Sequence, residues 1–213
     1  IQLYGNMKRI LCYGDSITWG YDPSSKTRFP YENTWPGVME TELGADYKVI
    51  TEALTGRTTC WEVPYAPYRN GKEQLPMLLE SHSPLDLVIV MLGINDLMDM
   101  VGKNANESSW GLISMIREIL SPVFGGKPPK ILIVSPPTLR HLSEFNKMGF
   151  KGRIEESKKL PHMQKLVAAE AKCEYLDSND YIKASEVDGV HPLEDQYTIL
   201  GKAIAKKVVD IMQ

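Results

Sequence analysis

The chain has 213 residues, of which 43% are hydrophobic and 24% charged, and its formal net charge at pH 7 is −3. This length can build one α/β domain with a substantial core, so we predict a single domain over residues 1–213, with residues 1–6 as an extension upstream of a native start at Met7. The weak net charge argues against nucleic acid or an anionic membrane as a partner, and the longest apolar run, residues 87–94, is too short to span a bilayer.

The first half of the chain alternates strand and helix patterns. Asn33 can cap the first helix, because its side-chain oxygen can accept a hydrogen bond from the first turn, and Gly44 can end it. In chain order we predict a buried strand at 8–13, a surface loop at 21–33, a helix from the Asn33 cap to about residue 42, a strand at 47–54, an irregular excursion at 60–71 and a helix at 72–81.

The second half opens with the most strand-like segment of the chain, residues 85–92. Its near-continuous apolar character is typical of a strand that is covered on both faces. The predicted elements that follow are a helix at 108–120, a strand at 130–134, a lid-like insertion at 138–151, a helix at 155–172 kinked near Pro161, a short strand at 175–177 and a helix at 194–211.

Strands that alternate with helices favour a parallel sheet with helices on both faces. Ser16, Gly56, Asn95 and His191 each follow a predicted strand. Because the carboxyl ends of parallel strands meet at one edge of a sheet, we expect these four residues to lie close together.

Ser16 follows the first strand directly and is the candidate nucleophile, since a serine hydroxyl reacts once a base takes its proton. Among the four histidines, His191 is the candidate base. Asp188, three residues earlier, can accept its Nδ1 proton and leave Nε2 facing outward. The alternative is that Asp188 only closes a turn and His191 caps the last helix. The shared sheet edge with Ser16 favours catalysis.

Three groups could stabilise the oxyanion of an acyl-transfer intermediate. They are the backbone N–H groups of Ser16 and Gly56 and the side-chain amide of Asn95. Taken separately, Gly56 could be an ordinary turn glycine and Asn95 could bond local backbone. Their positions at strand ends beside the serine favour the oxyanion role.

Motifs of other chemistries do not occur in the sequence. It has no Gly-x-Ser-x-Gly elbow, no metal-binding His-Glu-x-x-His or Cys-x-x-Cys and no glycine-rich nucleotide loop, so we predict neither metal nor cofactor. Asp15 is interpreted as a local cap and Cys12 as a core residue. Three widely spaced cysteines and no secretory signal pattern favour a cytoplasmic location.

Four motif blocks occur in order along the chain: Gly14-Asp15-Ser16, Gly56, Gly93-x-Asn95-Asp96 and Asp188-x-x-His191. Together they resemble the blocks of the SGNH (GDSL-type) hydrolases, with Ile17 where the GDSL name implies leucine. Residues 19–20, 54–59, 84–93 and 134–137 further resemble the bacterial arylesterase/acyltransferase branch, and the similarity covers nearly everything from Met7 onward.

The resemblance implies a flavodoxin-like three-layer α/β/α fold, a triad of Ser16, His191 and Asp188, and an oxyanion hole formed by Ser16, Gly56 and Asn95. It implies hydrolysis of small aryl or short-acyl esters through an acyl-serine intermediate. Some members of the branch also transfer the acyl group to alcohols or hydrogen peroxide, and some form homo-oligomers whose contacts narrow the active-site channel.

Five residues are candidates for the walls of a substrate pocket. Ile17, Trp19 and Ile94 flank the chemistry in sequence and could bound a small acyl group. Phe145 and Phe150 could line the leaving-group side, although ordinary packing is the alternative for both. Two other functions stay open: a carbohydrate O-deacetylase with the same triad and a more open, polar pocket, and a catalytically silent flavodoxin-like binding module.

Overall fold

The structure is a computed structural model that describes residues 7–121 and 126–213, so the predicted extension at 1–6 lies outside the described residues. In these two ranges the strands, numbered in chain order, are β1 Lys8–Gly14, β2 Tyr21–Asp22, β3 Thr27–Arg28, β4 Tyr47–Ala53, β5 Leu87–Met91, β6 Lys130–Ser135 and β7 Glu174–Asp177. Five of them form one parallel sheet in the order β4-β1-β5-β6-β7, while β2 and β3 form a separate antiparallel pair. The predicted parallel sheet is confirmed.

The helices of the same two ranges are α1 Ser16–Trp19, α2 Trp35–Leu43, α3 Gly71–His82, α4 Ala105–Leu120, α5 Glu144–Lys147, α6 Ile154–Ser157, α7 Leu160–Glu170 and α8 Glu194–Met212. Three short 3₁₀ turns accompany them at Tyr31–Asn33, Ile94–Leu97 and Ser178–Asp180. None of these helices is long and apolar enough to cross a membrane.

The helices cover both faces of the sheet because successive strand residues point to opposite sides. Ile10 and Cys12 of β1 pack with α2 and α8 in one core. Leu11 and Tyr13 point the other way and pack with α3, α4 and α7 in a second core. The result is the three-layer α/β/α arrangement, and Cys12 is a core residue as predicted.

The strand order places β1 where the chain changes its direction of travel across the sheet. β4 lies on one side of β1, and β5, β6 and β7 follow on the other side. In doubly wound sheets the crevice outside the carboxyl ends of the strands at such a point is the usual ligand site. The segments that carry Ser16, Gly56 and Asn95 follow β1, β4 and β5 and therefore converge there.

Three predicted boundaries are corrected by the structure. Thr34, and not Asn33, caps α2, because its Oγ1 accepts from the Gly37 N–H at 3.3 Å while Asn33 ends a 3₁₀ turn. The predicted helix at 155–172 is two helices, α6 and α7, with Pro161 in the first turn of α7, where its missing N–H costs no hydrogen bond. The predicted loop at 21–33 contains the β2–β3 pair.

Candidate active site

Three side chains from opposite ends of the chain form a continuous hydrogen-bonded row. Ser16 Oγ lies 2.8 Å from His191 Nε2, and His191 Nδ1 lies 2.6 Å from Asp188 Oδ2. An ionised carboxylate only accepts hydrogen bonds, so Nδ1 carries the proton and Nε2 is left to accept the proton of the Ser16 hydroxyl. The structure thus brings together Ser16, His191 and Asp188, the three side chains predicted to act as nucleophile, base and orienting carboxylate.

Ser16 is positioned by a tight exit from β1 into α1. A Cβ at Gly14 would lie 2.1 Å from Thr18 Oγ1 and 3.1 Å from the Met91 carbonyl oxygen, so only glycine fits there. Asp15 caps α1, as predicted, since its Oδ1 accepts from the Ile17 N–H at 2.9 Å. Ser16 is therefore the first residue of the helix, directly at the end of the strand.

His191 is fixed by a compact loop that Asp188 closes on itself. Asp188 Oδ1 accepts from the backbone N–H groups of Val190 and His191, each at 2.9 Å, while Oδ2 holds the imidazole. Gly189 has a φ of +79°, and a Cβ there would lie 2.4 Å from the His141 carbonyl oxygen. Burial alone pushes the pKa of Asp188 up, but the hydrogen bonds and charge of His191, with the two N–H groups, together hold it below its ordinary value.

Two backbone N–H groups of the described chain are free for the oxyanion role predicted for them. Neither Ser16 N–H nor Gly56 N–H has an acceptor among the described residues, which leaves both able to bind an anion. Gly56 has a φ of +75°, a conformation that favours glycine. The 3₁₀ turn after β5 brings in the third predicted donor, Asn95, which is also buried.

The Asn95 amide is held from two sides. Its Nδ2 donates to the Arg57 carbonyl oxygen at 3.0 Å and lies 3.3 Å from Asp15 Oδ2. The second contact is the longer and weaker one. An incoming oxyanion could therefore take over that N–H while the Arg57 carbonyl keeps the amide in place.

Two fully buried carboxyl groups lie beside these donors. Burial raises the pKa of Asp15 to about 6, although the Ile17 N–H and the nearby cations oppose the shift. Burial also raises the pKa of Asp96 to about 6, against hydrogen bonds from the Thr59 N–H and the hydroxyls of Thr59 and Ser108. Through those bonds Asp96 ties the Asn95 turn to the segment after Gly56 and to α4.

An open cleft of about 540 Å³ lies beside His191. Its walls combine aromatic and aliphatic surface with a few polar groups, from Tyr21, Pro23, Lys26, Ser143, Phe145, Asn146, Val187, Asp188 and His191. The ring of Tyr21 packs on the imidazole of His191 with 4.4 Å between ring centroids. Phe145 is 79% exposed and presents its ring to this space.

The five predicted wall residues lie in different places. Phe145 lines the cleft beside His191. Ile17, Ile94 and Phe150 are packed in apolar cores and have almost no exposed surface, so we do not place them at the cleft. Trp19 is half-buried and packs under the Arg28 guanidinium, 4.7 Å from the ring centroid.

Two residues at the site were not singled out from the sequence. Tyr21 belongs to a segment that the proline and serine pattern predicted as a surface loop, and its only signal was its distance of five residues from Ser16. Arg57 carried no assigned role, although it stands directly after Gly56. The contact of Tyr21 with His191 and that of the Arg57 carbonyl oxygen with Asn95 both depend on how distant segments of the chain approach each other in the fold.

No cluster of three or more histidine, cysteine, aspartate or glutamate side chains suited to a metal ion occurs within residues 7–121 and 126–213.

A model of the GDSL-like lipase/acylhydrolase family matches residues 12–199, which is most of the chain. The chain belongs to this family. The matched range contains all four motif blocks that carried the resemblance, from Gly14-Asp15-Ser16 to Asp188-x-x-His191.

The chain is also similar in sequence and structure to esterases of known structure. A carbohydrate acetylesterase from Sinorhizobium meliloti is 37% identical, with a TM-score of 0.92 over 96% of this chain and 99% of that chain. An aryl esterase from M. smegmatis is 35% identical, with a TM-score of 0.92 over 95% of this chain and 99% of that chain. The predicted SGNH hydrolase fold is confirmed.

A curated relative also carries the name of an esterase. An arylesterase from Vibrio mimicus is 36% identical over 92 residues, a match that spans 42% of this chain and 38% of that protein. The GDSL family and these neighbours together support a carboxylic ester hydrolase.

Proposed function

We propose that the protein is a serine esterase that hydrolyses small carboxylic esters through an acyl-Ser16 intermediate. The observation that carries this proposal is the unbroken row Ser16 Oγ–His191–Asp188, with distances of 2.8 and 2.6 Å. His191 Nε2 takes the hydroxyl proton as Oγ attacks the ester carbonyl carbon. Asp188 orients the imidazole and stabilises its positive charge.

The tetrahedral intermediate places its negative charge between the N–H groups of Ser16 and Gly56 and the Asn95 amide. Each donor of this kind contributes roughly 3–4 kcal/mol to the stability of the transition state. The intermediate collapses as His191 donates its proton to the departing alkoxide. Water then attacks the acyl-serine, with His191 again acting as the base, and releases the carboxylic acid.

The leaving group occupies the cleft beside His191, because the proton that it receives comes from that imidazole. Tyr21, Phe145 and Val187 offer apolar contact to an aryl or short alkyl group. An alcohol or hydrogen peroxide bound in the same place could accept the acyl group instead of water. Measuring acetyl transfer to added alcohol beside hydrolysis would separate the two outcomes.

A carbohydrate O-deacetylase is the second candidate, and two observations favour it. The cleft is open and carries Lys26, Ser143 and Asn146, which could bind sugar hydroxyls, and one similar structure is that of a carbohydrate acetylesterase. A series of aryl esters of increasing acyl length, compared with an acetylated sugar, distinguishes the candidates. A kcat/KM that is higher for the sugar than for every aryl ester would favour the deacetylase.

A fluorophosphonate probe tests whether the serine is activated, since an unactivated hydroxyl does not react with it. We expect stoichiometric labelling of the native protein at Ser16, and loss of labelling and of p-nitrophenyl acetate hydrolysis in Ser16→Ala. Ser24→Ala, which changes an exposed serine in the same part of the chain, is the matched control. An unlabelled native protein would instead support a silent binding module.

We also propose a cytoplasmic homo-oligomer. The location is supported by three cysteines that are unpaired in the described structure, and assembly by large exposed side chains such as Tyr65, Tyr68 and Trp110. Light scattering of the purified protein would give its mass in solution. A monomer at micromolar concentration would contradict the proposed homo-oligomer.

A further inference from the structure

Arg57 connects the two strand ends that lead to Ser16 and Gly56. Its side chain is buried, and its Nη1 donates to the carbonyl oxygens of Gly14 at 3.0 Å and Glu52 at 2.7 Å. Gly14 is the last residue of β1, two positions before Ser16. Glu52 lies in β4, four positions before Gly56. The guanidinium therefore adds a side-chain link between the two segments that carry the backbone donors, beside the backbone pairing of β1 with β4, in which the Leu54 N–H also donates to the Gly14 carbonyl oxygen.

The backbone of the same residue holds the third donor. Its carbonyl oxygen accepts the Asn95 Nδ2 hydrogen bond at 3.0 Å. Arg57 also follows Gly56 directly in the chain, so a shift of its backbone moves the Gly56 carbonyl and the Asn95 acceptor together. Ser16, Gly56 and Asn95 are thus all linked through one residue.

The environment of the guanidinium shows that it is fixed rather than free to adjust. It lies 4.2 Å from the centroid of the Tyr13 ring, and the Tyr13 hydroxyl is itself bound to the Gly71 carbonyl oxygen. Nη2 donates to Gln74 Oε1 at 3.3 Å. Its hydrogen-bond acceptors among the described residues are carbonyl and amide oxygens. Burial of a cation in such surroundings is costly, and burial lowers the pKa of Arg57 accordingly.

We propose that Arg57 is a positioning residue that sets the spacing of the three oxyanion donors, an inference that rests on the proposed esterase function. An apolar side chain could fill the same volume at lower desolvation cost. It could not bridge the Gly14 and Glu52 carbonyls. A role in geometry should therefore appear in the rate of the chemical step rather than in substrate binding.

The test compares Arg57→Met, Arg57→Lys and the matched control Arg9→Met by p-nitrophenyl acetate hydrolysis. Arg9 also donates to two carbonyl oxygens, those of Pro84 and His82, but at the opposite end of β1. We expect Arg57→Met to lower kcat about 10- to 100-fold with KM within about twofold, in keeping with a displaced oxyanion donor. Arg57→Lys should recover part of kcat, and Arg9→Met should keep it.

Two further readouts separate positioning from a general structural role. Affinity for a boronic acid that mimics the tetrahedral intermediate should fall in parallel with kcat in Arg57→Met, and Arg57→Lys should recover part of both together. A kcat within twofold of the native value in Arg57→Met would overturn the proposal. If Arg57→Met does not fold, a kcat within twofold of the native value in Arg57→Gln, whose side chain is too short to reach both carbonyl oxygens, does the same.

The failure of this proposal is distinguishable from failure of the proposed function. Fluorophosphonate labelling of the native protein reports whether Ser16 is activated at all. Labelling at Ser16 together with an unchanged kcat in the Arg57 variants removes the positioning role alone. Absence of labelling in the native protein removes the esterase mechanism on which it rests.

Discussion

Asn95, the proposed side-chain donor to the oxyanion, is held in place without substrate, because the Arg57 carbonyl oxygen binds one of its N–H groups. Such preorganisation means that little reorganisation is needed when charge develops on the carbonyl oxygen. The other N–H has only the 3.3 Å contact with Asp15 to give up. The amide is therefore suited to stabilise a transition state rather than to bind the uncharged ester.

Replacing Asn95 should separate these two effects. We expect Asn95→Ala to lower kcat by roughly 10²–10³ with a small change in KM, as for the loss of one oxyanion donor. Asn106→Ala, an exposed asparagine of α4, is the control and should keep full activity. A decrease of only twofold in p-nitrophenyl acetate turnover would show that the Asn95 amide is structural.

The buried carboxyl group of Asp96 makes stability depend on pH. Its pKa is about 6 in the folded protein, whereas an aspartate in an unfolded chain titrates near about 3.9. The folded state therefore retains a proton that the unfolded state has lost between these values. The stability linked to this proton is fully present below about pH 4 and is lost as pH rises through about 6.

Asp96→Asn should remove this dependence, since the amide stays uncharged and can still accept from the Thr59 N–H. The variant should gain on the order of 2 kcal/mol in free energy of unfolding relative to the native protein between pH 4 and pH 7. Urea denaturation at both pH values measures the difference. Parallel changes in the two proteins would show that Asp96 titrates normally.

At the scale of elements, the segment around α5 supplies an exposed ring to the cleft. Phe145 and Met148 lie three residues apart and are 79% and 78% exposed, but only Phe145 lines the cleft. Both can be changed without opening a cavity in a core, so a matched comparison isolates contact with the leaving group.

We expect Phe145→Ala to raise KM for p-nitrophenyl acetate about 3- to 10-fold through loss of aromatic contact, with kcat and stability nearly unchanged. Met148→Ala should leave both constants at their native values. Equal effects of the two substitutions, or none, would mean that the aryl group binds elsewhere.

Sequence patterns predicted the elements well where one periodicity dominated. The continuous apolar runs of β1 and β5 left few alternatives. The cap of α2 was misassigned because Asn33 and Thr34 are adjacent and both can accept from a first turn. Proline at 161 was interpreted as a kink within one helix, whereas it lies in the first turn of a new helix, α7.

At the scale of the whole molecule, the order of Ser16, Asp188 and His191 along the chain and their positions after predicted strands were sufficient to predict that they lie together. The contacts of Tyr21 with His191 and of Arg57 with the strand ends were not predictable in this way. These contacts join segments that are brought together only by tertiary packing. In the sequence, neither an aromatic residue in a proline-rich segment, such as Tyr21, nor an arginine after a glycine, such as Arg57, indicates which residue it will contact.

Ser16 and His191, the proposed nucleophile and base, are held in place very differently in this fold. Ser16 follows β1, which is bonded to β4 and β5 on both sides, whereas His191 lies in an irregular loop whose few backbone bonds run to residues 140–143 and to Ser185. Segments with few such bonds open at lower free energy than central strands. On heating, catalysis should thus cease several degrees before helical circular dichroism is lost, and coincident inactivation and melting would refute this. The highest temperature at which the enzyme works would then be set by the loop that holds the His191 imidazole, while the hydrophobic core of the protein remains folded.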